Sequence, residues 1–135
     1  MASILKVDEL RGIVSAGDIT VTSEGGSATM QLQQGMAKAW VQYNHSSNVV
    51  NGSFNTTSMT DVSTGVMEQN FSSSMADGDY AAVGIRRSYQ FAQHNSDVVQ
   101  TGKFKGYTYY VSGTSGQTTA QDSTYTHILI HGDLA

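Results

Sequence analysis

Apolar residues in this chain fall in short runs that alternate with polar ones, and glycine, asparagine, aspartate and serine separate the runs. In GDITVTSEGG, Ile19 and Val21 alternate with Thr20 and Thr22, the period-two pattern of a strand. GMAKAWVQYN places Ala37, Ala39, Val41 and Tyr43 on one face and Lys38, Trp40 and Gln42 on the other, which predicts a strand with a small-to-large inward face. SFNTTSMTDVSTGVMEQNF predicts two strands around Ser63-Thr64-Gly65, with Phe54, Met59 and Val62 before the turn and Val66 and Phe71 after it. DYAAVGIRRSYQFAQHN alternates Tyr80, Ala82 and Gly84 with Ala81, Val83 and Ile85. GKFKGYTYYVSG and STYTHILIHGDLA, rich in Tyr, Thr and β-branched residues, supply two further strands. Met30 to Val41 offers a competing short helix through its Ala, Gln and Met content.

Six or seven strands at roughly ten-residue spacing, with polar turns between them, predict an all-β protein: a small antiparallel β-sandwich or jelly-roll-like knob. The stretch from Ser63 to Gly84 is expected to be a pair of short strands joined by a polar loop. The knob is placed at residues 36–135, preceded by an extended attachment and trimerisation arm at 1–35. In that arm Ile4, Leu5, Val7, Leu10, Ile13 and Val14 are more apolar than a disordered tail. Short strands with glycine turns and no covering helix need a partner surface, and identical copies around a symmetry axis provide one. A homotrimer is therefore expected, with Ile4, Leu5, Val7, Leu10 and Trp40 as candidate interface residues.

Composition narrows the partners. Only 13% of the 135 residues are charged and the net charge is −4, so the clustered cations that a nucleic acid would require are missing. There is no cysteine, which removes disulfides, thiolate metal sites and thiol nucleophiles together. No proline occurs, and the turns rest on Gly, Asn, Asp and Ser. MASILKVDEL carries Lys6, Asp8 and Glu9 and no long apolar run, so neither a signal peptide nor a membrane insertion is expected, and synthesis in a cytoplasm is. The Asn-x-Ser/Thr triplets at Asn44, Asn51, Asn55 and Asn70 are then chance occurrences in a Ser/Thr-rich chain.

Reactive chemistry is sparse. His127 and His131, four residues apart on one strand, share a face but stand roughly 13 Å apart, too far for one metal within a chain. Each could form a ring about a threefold axis, and the sequence leaves that open. His45 and His94 lie in polar segments and are expected at the surface. Ser112-Gly113 and Ser115-Gly116 lack the helix that a nucleophile elbow requires. Asp77 and Asp79 are too close for an EF-hand loop and suit a turn, and Asp61 with Glu68 is the other carboxylate pair. Arg86 and Arg87 project to opposite faces of a strand. Trp40, Tyr89, Phe91, Tyr107, Tyr109 and Tyr110 exceed the needs of a small core if several are exposed, and such side chains stack on sugars or anchor protein contacts. No enzyme activity, catalytic residue, cofactor or metal is expected. Asn48, Asn95 and Gln117, on predicted loops, are the candidate surface-binding residues.

Thr64-Gly65, Phe71, Met75, Ala76-Asp77, Tyr80 and Val83-Gly84, in the spacing TG-x5-F-x3-MAD-x2-Y-x2-VG, resemble a module common at the ends of bacteriophage tail-fibre proteins, especially in phages of marine bacteria. SILKVDELRG and GDITVTSEG look like the leader of small phage virion proteins, and ILIHGDLA is similar to their terminal strand. Val66-Met67 departs from the module, which usually has a polar residue followed by Tyr there. The resemblance implies a trimeric virion structural protein, a tail-fibre or tail-tip module in host attachment. Its arm would dock on other virion proteins and its loops would meet a host-surface glycan or protein. Within it Phe71, Met75, Tyr80 and Val83 would be fold anchors, and Asp77 and Gly78 the turn. The alternative is a capsid decoration or head-fibre protein, and a free carbohydrate-binding module is a third class.

Overall fold

A computed structural model describes residues 6–13, 19–22, 25–26, 28–86, 92–93, 99–112 and 117–135. The chain divides into two compact units, Met1–Met36 and Ala37–Ala135. In the first, β1 (Thr20–Thr22) pairs antiparallel with β2 (Thr29–Gln31), with Val21 opposite Met30. One helical turn, α1 (Leu32–Gly35), follows, tied back by the Leu32 amide donating to the Ile19 carbonyl at 2.7 Å. The helix possible over Met30 to Val41 is thus confined to one turn, because the β-branched and aromatic residues that end the segment belong to the next strand. Val7 and Leu10 are exposed, and Ile4 and Leu5 lie outside the described residues.

The second unit is a small antiparallel β-sandwich. One sheet has the order β4 (Val49–Phe54), β3 (Ala39–Asn44), β12 (Thr126–His131), β7 (Ala81–Arg86). The other runs β11 (Gln117–Ala120), β10 (Lys103–Ser112), β6 (Val66–Phe71), β5 (Thr56–Ser63), and the two-residue strands β8 (Ala92–Gln93) and β9 (Val99–Gln100) also pair with β10. Hairpins alternate between the sheets along the chain: β3–β4 in the first, β5–β6 in the second, β7 in the first, β10–β11 in the second, and β12 back in the first.

Period-two alternation builds the core. Ala39, Val41 and Tyr43 of β3 and Ile128 and Ile130 of β12 meet Met67 and Phe71 of β6 and Phe104 of β10 in one buried cluster. Fully burying a side chain such as Ile130 contributes about 1.5–3 kcal/mol. Gln69 is also fully buried, and its amide Nε2 donates to Thr56 Oγ1 at 2.8 Å. Thr108 is likewise buried, its hydroxyl donating to the Gln121 carbonyl at 2.7 Å.

Two expectations are corrected. Phe54 does not share a strand with Met59 and Val62: it ends β4, which went unpredicted, and Asn55 with φ of 52° breaks the chain between β4 and β5. Val62 is exposed. The stretch Ser63 to Gly84 does hold two short strands joined by a polar loop, β6 and β7; they lie in different sheets, because the loop carries the chain from one sheet to the other. Val83 is not a core anchor. On β7 Ala82 faces the core, so the alternation turns Val83 outward.

The loop between β6 and β7 is built on the core. Phe71, Met75 and Tyr80 are buried, and the Phe71 and Tyr80 rings meet edge to face at 5.8 Å. Asp77 Oδ1 accepts the Asp79 amide at 2.8 Å, the side-chain-to-backbone bond of an aspartate turn. The C-terminal residues fold back along this loop: Met75 bridges Leu134, and the Ala76 amide donates to the Asp133 carbonyl at 2.8 Å.

Candidate functional site

The outer face of the four-stranded sheet is the most unusual surface of the sandwich. Register aligns Phe54, Trp40, Leu129 and Val83 in one row across all four strands. Their exposures are 52%, 41%, 40% and 59%. The next outward row is Gly52, Gln42, His127 and Ile85. The Trp40 ring lies over Gly52, and a Cβ built there would touch the indole at 3.4 Å, an ordinary contact distance. Trp40, Val83, Ile85, His127 and Leu129 line a shallow groove of about 230 Å³.

Neither row contains Asp, Glu, Lys or Arg. An antiparallel sheet with one solvated face normally alternates apolar-in with polar-out, whereas here apolar residues point both ways on β3, β7 and β12. Isolated exposed apolar residues are ordinary on a surface, whereas a contiguous apolar row across a sheet is a candidate contact surface. The other sheet differs. Its outward face carries Lys103, Lys105 and Glu68, and both lysines reach the one carboxylate, at 3.1 and 3.9 Å.

The predicted candidate residues scatter. Trp40 stands in the middle of the apolar row. Asn48 closes the 3₁₀ turn His45–Ser47 in the left-handed region, φ 54°, and its Oδ1 accepts the Tyr43 hydroxyl at 2.6 Å, a structural role. Gln117 opens β11 opposite Ser112, with its side chain outside the described residues, and Asn95 and His94 lie outside them altogether. His127 faces outward on the apolar sheet, and His131 follows on the same strand parity. Among the described residues no group of three or more His, Asp or Glu side chains is gathered to hold a metal, and no helix is long and apolar enough to cross a membrane.

His45 corrects its expected surface position. Its side chain is fully buried between two carboxylates, with Nε2 at 3.1 Å from Asp61 Oδ1 and Nδ1 at 3.4 Å from Asp122 Oδ1. Its amide donates to the Ser123 carbonyl at 2.8 Å, and its ring packs 5.5 Å from that of Tyr43. The cluster joins the β3–β4 turn to β5 of the opposite sheet. Burial, with Asp61 and Asp122 nearby, raises the Tyr43 phenol above its ordinary value. Asp61 and Glu68 therefore do not form a working pair, since Asp61 faces His45 while Glu68 faces the lysines. Arg86 donates to the Asp122 carbonyl at 3.0 Å; burial lowers its pKa, and the Asp122 charge opposes that shift. Sequence offered one signal for His45: it stands two residues after the inward-facing Tyr43, just past the end of β3.

Comparison with protein-family models, with curated proteins and with solved structures finds no match to this chain. The class that the geometry defines is a small antiparallel β-sandwich with two adjoining outward rows on one sheet that carry no Asp, Glu, Lys or Arg.

Proposed function

We propose that the protein is a structural component of a bacteriophage virion, a homotrimeric tail-fibre or tail-tip module in host-surface attachment. The observation that carries this reading is the row Phe54–Trp40–Leu129–Val83. An apolar row that carries no Asp, Glu, Lys or Arg suits burial at a threefold axis, where three copies turn the same face inward and no charge of that row is desolvated. The tail-module resemblance supports the reading independently, because its Phe71, Met75 and Tyr80 are buried together and its Asp77 makes the turn.

Two measurements test it. Light scattering of the purified protein should return three times the chain mass of 14.4 kDa, and Leu129→Lys or Val83→Lys should give a folded monomer. A monomeric native protein would remove the assembly role of this face. Quantitative mass spectrometry of purified virions should then find the protein at a few per cent of the major capsid protein. Near one-to-one or one-to-three stoichiometry would assign it to capsid decoration instead, and absence from virions would leave a free binding module.

A further inference from the structure

We propose that the outward face of β10 is a binding strip for an acidic, uronate-bearing polysaccharide. This inference deepens the attachment reading and rests on it for its biological setting. The strip consists of Lys103, Lys105, Tyr107 and Tyr109, which alternate with the inward residues Phe104, Gly106 and Thr108. Alternate residues of a strand stand about 7 Å apart, so the four side chains run about 20 Å, the reach of an oligosaccharide rather than of one sugar ring.

Three features select the ligand class. Tyr107 and Tyr109 stack on each other, parallel within 2° with ring centroids 6.3 Å apart, an ordered pair of amphipathic aromatic side chains such as sugar rings pack against. The Lys105 ammonium lies 6.0 Å from the Tyr107 centroid, which places a cation beside the aromatic surface. Among the described residues Lys103 and Lys105 share the carboxylate of Glu68, so the described strip carries two cations to one anion on a chain of net charge −4. Beside Glu68 on β6, Asn70 gathers the hydroxyls of Ser58 and Thr60 at 3.2 and 3.1 Å, which extends the strip with groups that exchange hydrogen bonds with sugar hydroxyls.

A stacked aromatic pair, hydroxyl-matching polar groups and a modest positive excess together fit a polymer of pyranose rings that bears regularly spaced carboxylates. A nucleic acid is a poorer fit, since its affinity rests on neutralising many phosphates. The strip lies on the sheet opposite the apolar row, so a face used for assembly would leave it open.

The test is affinity electrophoresis and calorimetry of the full chain with polygalacturonate, alginate and hyaluronan as acidic probes, uncharged dextran as the neutral probe and duplex DNA as the competing polyanion. Binding to at least one acidic polysaccharide is expected, with weaker binding to dextran and DNA. Tyr107→Ala and Tyr109→Ala should each weaken it about tenfold. Lys105→Gln should weaken it about threefold and Glu68→Gln should tighten it by a similar factor, because the lysines are then released to the ligand. Circular dichroism confirms that each variant is folded, and the Glu68 and Lys105 variants keep the test valid if a tyrosine variant does not fold. No binding to any acidic probe, equal binding to dextran, preferential binding to DNA, or binding indifferent to Lys105→Gln and Glu68→Gln would each overturn the proposal. A trimer found in virions that fails these assays loses this inference alone. A chain that binds but is absent from virions loses the virion reading alone.

Discussion

Gly132 lies so close to Tyr80 that a Cβ built on it would stand 2.5 Å from the tyrosine Cβ and 3.2 Å from its Cα. The contact seats the C-terminal tail against the loop that carries Met75 and Tyr80, and both elements must give way if it is widened. Gly132→Ala should therefore lower stability by about 1–3 kcal/mol, the usual cost of overpacking. A thermal melt of the variant checks this, and an unchanged midpoint would mean that the tail and the loop separate freely.

Tyr80 makes alkaline stability a readout of the same loop. Its hydroxyl donates to the Lys103 carbonyl at 2.9 Å, and burial pushes the phenol from 10.0 to about 12. The folded state thus holds this proton more tightly than the unfolded chain, so the contribution is complete below pH 10 and is lost as pH rises from 10 towards 12. Tyr80→Phe should flatten that part of the stability profile and cost about 1 kcal/mol at neutral pH through the unpaired carbonyl. Urea unfolding at several alkaline pH values would show parallel curves for the two proteins if Tyr80 is not the group responsible.

His45 is fully buried beside two carboxylates: its Nε2 hydrogen-bonds Asp61 at 3.1 Å, while Nδ1 stands 3.4 Å from Asp122 without a hydrogen bond. His45→Ala should destabilise the sandwich by about 1–3 kcal/mol, since it leaves the facing polar groups without their partner. Denaturant titration measures this, and a loss below a few tenths of a kcal/mol would show that water replaces the imidazole without cost.

Gly65 adopts φ of +73°, and a Cβ there would meet the Thr108 carbonyl oxygen at 2.5 Å. Its amide also donates to Asp122 Oδ1 at 2.7 Å. Gly65→Ala combines left-handed strain, about 1–2 kcal/mol, with that collision, and the variant should fold poorly or melt well below the native protein.

Trp40 is the single tryptophan and stands in the apolar row, so its fluorescence reports whether that face is covered. Emission should shift to the blue as the protein is concentrated into its assembled state, and Leu129→Lys should abolish the shift. Emission that stays solvent-like at every concentration would show that the row remains open.

Local alternation determined most of what is local in this fold. The inward face Ala39, Val41, Tyr43, the turn at Thr64-Gly65 and the strands β10 and β12 follow from period-two patterning and turn chemistry, because each depends on neighbours in sequence. The β4 strand escaped that reading: VVNGSF holds Asn51 and Gly52 in its middle, which interrupt the apolar alternation, and the segment is a strand through its pairing with β3. Tertiary structure alone decided which strands share a sheet, and hence that β6 and β7 part company, that Val83 points away from the core, and that His45 is enclosed by Asp61 and Asp122. Those outcomes depend on hydrogen bonding and packing between residues far apart in the chain. The same pairings line up Phe54, Trp40, Leu129 and Val83, a row that no single stretch of sequence contains.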